Sequence, residues 1–141
     1  MIMNRNTVAI ICMTVLAGCA RTYEGPGVEN LPPSSLAVID IDLPLDDPQL
    51  PILQEVDGKW RGVGILRRYE LVPGPHTISF IYAYWFKRST IAIVDSFRAE
   101  AGHTYHIRAN ADAQRMIWKP EIIDTATGAV VSTQVGTTAA D

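Results

Sequence analysis

His76-Thr77-Ile78-Ser79-Phe80-Ile81-Tyr82-Ala83-Tyr84-Trp85-Phe86-Lys87 is the longest strand-like apolar run of the chain, and its reading decides the fold. Successive side chains of a strand point to opposite faces, so Ile78, Phe80, Tyr82, Tyr84 and Phe86 share one side. Ile81 and Trp85 then face the other way with Thr77, Ser79 and Lys87. Pro73-Gly74-Pro75 punctuates the start of the run, after a shorter strand-like stretch, Arg68-Tyr69-Glu70-Leu71-Val72. Residues 90–99 read as the return strand: Ile91, Ile93 and Phe97 point together and Asp95 interrupts them.

The same alternation recurs on both sides. Leu36-Ala37-Val38-Ile39-Asp40-Ile41-Asp42-Leu43 sets Ala37, Ile39, Ile41 and Leu43 against Asp40 and Asp42, the mark of a half-buried strand. Ile52-Leu53-Gln54-Glu55-Val56 runs into Asp57-Gly58, a strong hairpin signal because both turn positions need positive φ. Glu100-Ala101-Gly102 turns the chain into another strand at 103–109, and 118–123 and 129–131 supply the last candidates. About seven or eight short strands with Gly, Pro and Asp turns predict an all-β, antiparallel sandwich of the immunoglobulin or transthyretin kind. An open barrel is the structural alternative. The expected sandwich spans 36–131, between a flexible linker at 19–35, rich in Gly and Pro, and a small, polar, disordered tail at 132–141.

Val56-Asp57-Gly58-Lys59, followed by Tyr69-Glu70-Leu71-Val72-Pro73-Gly74-Pro75-His76-Thr77-Ile78, resembles the PEGA-type surface domain and related carboxypeptidase-regulatory-like β-sandwiches. Phe97-Arg98-Ala99-Glu100-Ala101-Gly102-His103-Thr104-Tyr105 is similar to small bacterial lipoproteins built on that plan. The resemblance covers 56–109, and Pro75 stands where the Pro-Glu-Gly-Ala string would continue. It implies a β-sandwich presented at the cell surface or envelope.

The first residues agree. Arg5, an apolar stretch over 8–16 broken by Thr14, and small residues after it have the order of a secretion signal at 1–18. The stretch is too short to span a bilayer, which takes roughly 20 residues. Leu16, Ala17, Gly18 and Cys19 resemble, position by position, the lipobox at which bacterial lipoproteins are cut and lipidated. The resemblance implies fatty acylation of Cys19, a membrane held through that lipid and, because Ala20 rather than Asp follows, the periplasmic side of the outer membrane. Cys12, the other cysteine, lies in the segment to be removed, so the mature chain forms no internal disulfide.

From Cys19 onward there are 123 residues, the size of one domain, with 11 basic and 15 acidic side chains. No basic tract or arginine stripe interleaved with aromatics appears, which argues against nucleic acid as a partner.

No catalytic motif is present, and neither a metal nor an organic cofactor is called for. His103 and His106 fall on opposite faces of one strand, and His76, at a strand entry after Pro75, reads as a turn-capping ring. Asp40 with Asp42 reads as a solvated strand face and Asp46 with Asp47 as a polar loop, since no Asp-x-Asp-x-Asp-Gly calcium loop is formed. The candidate contact residues are Trp85 and Ile81, outward on the long strand, and Trp60 near the Asp57-Gly58 turn. A second sheet or a loop covering them is the competing reading. The expected function is therefore a non-enzymatic, lipid-anchored binding or assembly module with a protein or glycan partner in the envelope. The alternative is an envelope hydrolase or metal-dependent enzyme assembled from scattered carboxylates and the three histidines.

Overall fold

The computed structural model describes residues 21–41, 49–64, 66–84, 87–112 and 117–140. Leu16, Ala17, Gly18, Cys19 and Trp85 lie outside these residues. Within them the strands are β1 (Arg21–Glu24), β2 (Ala37–Asp40), β3 (Gln49–Val56), β4 (Lys59–Trp60), β5 (Leu66–Leu71), β6 (Gly74–Tyr84), β7 (Lys87–Arg88), β8 (Ile91–Ala99), β9 (Thr104–Asp112), β10 (Ile117–Asp124) and β11 (Thr133–Ala139). They form two sheets, ordered β1-β5-β2-β9-β10 and β11-β8-β6-β3-β4, with β7 paired to the end of β6.

The sheets stack as a sandwich because each presents one apolar face. Ile39, Tyr69, Leu71, Tyr105 and Ile122 from the first sheet meet Leu53, Val56, Ile78, Phe80 and Phe97 from the second in one core cluster. Each such side chain stabilises the fold by about 1.5–3 kcal/mol when fully removed from water. Aromatic contacts cross the interface: Phe97 meets Tyr105 edge-on at 5.3 Å, and Tyr82 stacks on Trp118 at 5.3 Å. Burial pushes the Tyr69 hydroxyl up to about 12, against the opposing effect of the nearby Arg61.

The all-β sandwich has more strands than the hydrophobic pattern predicts. Two of the additions, β4 and β7, are two residues long. The first sheet is also mixed, since β1 pairs with β5 and β2 with β9 in parallel.

The other two additions correct the expected ends of the domain. From Arg21 the segment read as a flexible linker is built into the sandwich. It forms β1, then 3-10 turns at Val28–Asn30 and Pro33–Ser35, with Val28 buried. Gly25 donates its N–H to the Glu70 carbonyl at 2.8 Å, and a Cβ on Gly25 would meet that oxygen at 3.1 Å, so the close approach to β5 leaves little room for a side chain. Glycine and proline here shape turns in a packed segment rather than loosening a spacer. The segment read as a disordered tail forms β11, antiparallel to β8. Its side chains are exposed on both faces, so it is held by backbone pairing and carries no alternation for a sequence reading to detect.

Candidate contact site

The Asp57-Gly58 hairpin forms as its sequence predicts, with φ of 51° and 71° and Val56 opposite Lys59. Just before it, β3 bulges at Gln54, so that Glu55 stands across from both Ser79 on β6 and Trp60 on β4. The loop 61–64 is fastened to this bulge, because the Arg61 N–H donates to the Gln54 carbonyl at 3.2 Å and its guanidinium to the Gly64 carbonyl at 2.6 Å.

An open groove of about 480 Å³ results on the outer face of the second sheet. Ile52 and Ile81, directly opposed on β3 and β6, form its floor. Trp60 and Val63, 62% and 71% exposed, stand beside it, and Gln54, Glu55, Arg61 and Arg88 bring an amide and charges of both signs to the rim. An exposed indole over an aliphatic floor suits the apolar face of a sugar ring or a flat side chain, and the rim can exchange hydrogen bonds with hydroxyls or amides.

Two of the three candidate contact residues, Trp60 and Ile81, thus line one groove. Ile81 does not offer the exposed surface expected of it. It lies on the outer face as alternation requires, but it is only 1% exposed. Its burial goes with the competing reading of a covered face, that of a second sheet or a loop, and residues 61–64 line the same groove. Val63 was not foreseen; an apolar residue between Gly62 and Gly64 in a polar turn is the signal that marks it.

The histidines do not converge. His76 is buried, with Nδ1 2.7 Å from Asp57 Oδ2 and Nε2 2.7 Å from the Val72 carbonyl oxygen, the turn-capping role its position predicts. His103 Nδ1 lies 2.7 Å from Asp124 Oδ2, with Glu100 at 3.5 Å from Nε2. The hydrogen bond that His103 donates to Asp124 raises the His103 pKa, and the same bond lowers that of Asp124. His106 lines a different cleft of about 380 Å³ on the outer face of the first sheet, beside Asp40 and Arg68. Asp40 and Arg68 are paired at 3.6 Å and substantially exposed, an arrangement that contributes little to stability. Asp42, Asp46 and Asp47 lie outside the described residues. Among the described residues no group of three or more His, Cys, Asp or Glu side chains is placed to hold a metal ion.

One carboxylate is misplaced by the ordinary rules of burial. Asp95, on the inner face of β8 opposite core residue Ile78, is 0% exposed, and neither oxygen has a hydrogen bond of ordinary geometry. Burial raises its pKa; the nearby Ser132 hydroxyl and Lys119 oppose this, and Glu121 adds to it.

No protein-family model matches the chain, and no curated protein or solved structure does so either.

Proposed function

We propose that this protein is a non-catalytic module of the bacterial envelope, anchored through a lipid on Cys19 at the periplasmic side of the outer membrane, and that it grips a cell-wall glycan in the Trp60 groove. The observation that carries the reading is the exposed Trp60 indole beside the partly buried Ile52, ringed by Gln54, Glu55, Arg61 and Arg88. Such a combination stacks on sugar rings while hydrogen-bonding their substituents. The Leu16-Ala17-Gly18-Cys19 lipobox supports the location.

Titration of soluble peptidoglycan fragments into the full chain, followed by calorimetry, tests the groove. Binding that Trp60→Ala removes and Val130→Ala leaves intact is the expected result; no binding, or binding indifferent to Trp60→Ala, overturns it. Cys19→Ser tests the anchor separately: it should leave uncleaved precursor without lipid label, and a mature-sized, membrane-bound product would contradict it.

A further inference from the structure

Exposed sheet edges template unwanted strand pairing, and proteins blunt them with charge, proline, brevity or cover. Three edges of this sandwich are blunted in those ways. β1 is only four residues long and ends on Glu24. β10 carries Lys119, Pro120 and Glu121, and its free side is partly covered by the following segment, where the Val131 N–H donates to the Ile122 carbonyl at 2.9 Å. β4 is the two residues Lys59 and Trp60, followed by Arg61.

The fourth edge differs. β11 is Thr133-Gln134-Val135-Gly136-Thr137-Thr138-Ala139, seven residues with no charge and no proline. β8 takes one side of it, and among the described residues no strand takes the other. The single irregularity, at Val135, leaves 136–139 as a regular run opposite 91–94 of β8. Val135 itself is 57% exposed.

We propose that β11 is a self-association edge, pairing antiparallel with β11 of a second copy so that the two outer sheets become continuous. A two-fold antiparallel pair sets residue i of one strand against j of the other and j against i, so that only a charge on or beside the axis meets its like. β11 carries none. Threonines form favourable cross-strand pairs with one another, and the small exposed side chains on both faces leave room for the second strand. A charged peptide would find no counter-charge here, whereas an identical strand needs none. The proposal does not depend on the Trp60 groove.

Sedimentation equilibrium of the full chain in density-matched detergent, with amide hydrogen exchange across the same concentrations, tests it. The expected result is a dimer in which 136–139 gains protection. Thr138→Lys, which puts a charge on the edge at an exposed position, should be a folded monomer. Asn30→Lys, which adds the same charge on an exposed turn elsewhere, should dimerise normally. A monomer at all concentrations, a dimer insensitive to Thr138→Lys, or equal loss in Asn30→Lys overturns the proposal. Protection of 136–139 that appears only with an added extended peptide also overturns it, in favour of a peptide-binding edge.

Discussion

His76 and Asp57, nineteen positions apart, meet with Nδ1 2.7 Å from Oδ2, and the second Asp57 oxygen accepts the Thr77 N–H at 2.8 Å. One carboxylate thus fastens the β3–β4 hairpin to the entry of β6. The Val72 carbonyl, at 2.7 Å, only accepts, which places a hydrogen on Nε2.

His76→Ala should cost about 1–3 kcal/mol, because it empties a buried ring position and removes both hydrogen bonds that tie this junction together. Asp57→Ala should also destabilise, through the lost bonds and the positive φ at this position. Asp57→Asn should be much milder, since asparagine tolerates that φ, still accepts from Thr77 and can donate to Nδ1. Urea unfolding midpoints of the three variants give the ranking. Equal losses for Ala and Asn at 57 would refute this account.

The groove predicts opposite outcomes for two of its residues. Trp60→Ala should change stability by less than about 0.5 kcal/mol, as exposed substitutions do, while removing glycan binding. Ile81→Ala should cost about 2–5 kcal/mol, because its side chain is fully packed. Thermal unfolding and calorimetry on the pair separate wall from floor.

Asp95 gives a pH dependence of definite sign. Its pKa is raised in the folded state, so the unfolded chain releases the proton first, near 3.8, and stability falls as pH rises from there until the folded carboxyl also ionises. Asp95→Asn should therefore gain on the parent protein as pH is raised from 4 to 8. Parallel unfolding curves at the two pH values provide the check, and a pH-independent difference would contradict it.

His103 and Asp124 behave in the other sense. The raised His103 pKa contributes stability that is complete below the unfolded value of 6.5 and is lost as pH rises through the folded one. The lowered Asp124 pKa contributes stability present above 3.8 and lost as pH falls through its folded value. Together they favour the interval between 3.8 and 6.5. His103→Gln should flatten the fall in Tm on the alkaline side of that interval, as a thermal scan from pH 5 to 9 would record.

Alternation revealed the central strands because burial of one face leaves a period of two, as at Ala37 and Ile39 against the outward Asp40. It also placed Asp95 on the inner face, though not the lack of a hydrogen-bond partner there. Elements held by backbone pairing alone left no such trace, hence the misreading of β11. The groove was half legible. Alternation put Ile81 on the outer face with Trp85, but only the folded path of 61–64 brings Trp60 to it and shows Ile81 buried while Trp60 stands exposed. The His76 to Asp57 contact spans two hairpins, a distance over which local pattern carries no information.

The start of β1 at Arg21 changes what an acyl group on Cys19 would do. Ala20 alone would separate the lipidated residue from the first sheet, a slack of about 7 Å at full extension. The domain would ride on the headgroups instead of roaming the compartment on a long leash, and whatever it engages would have to come within one sandwich's width of the bilayer.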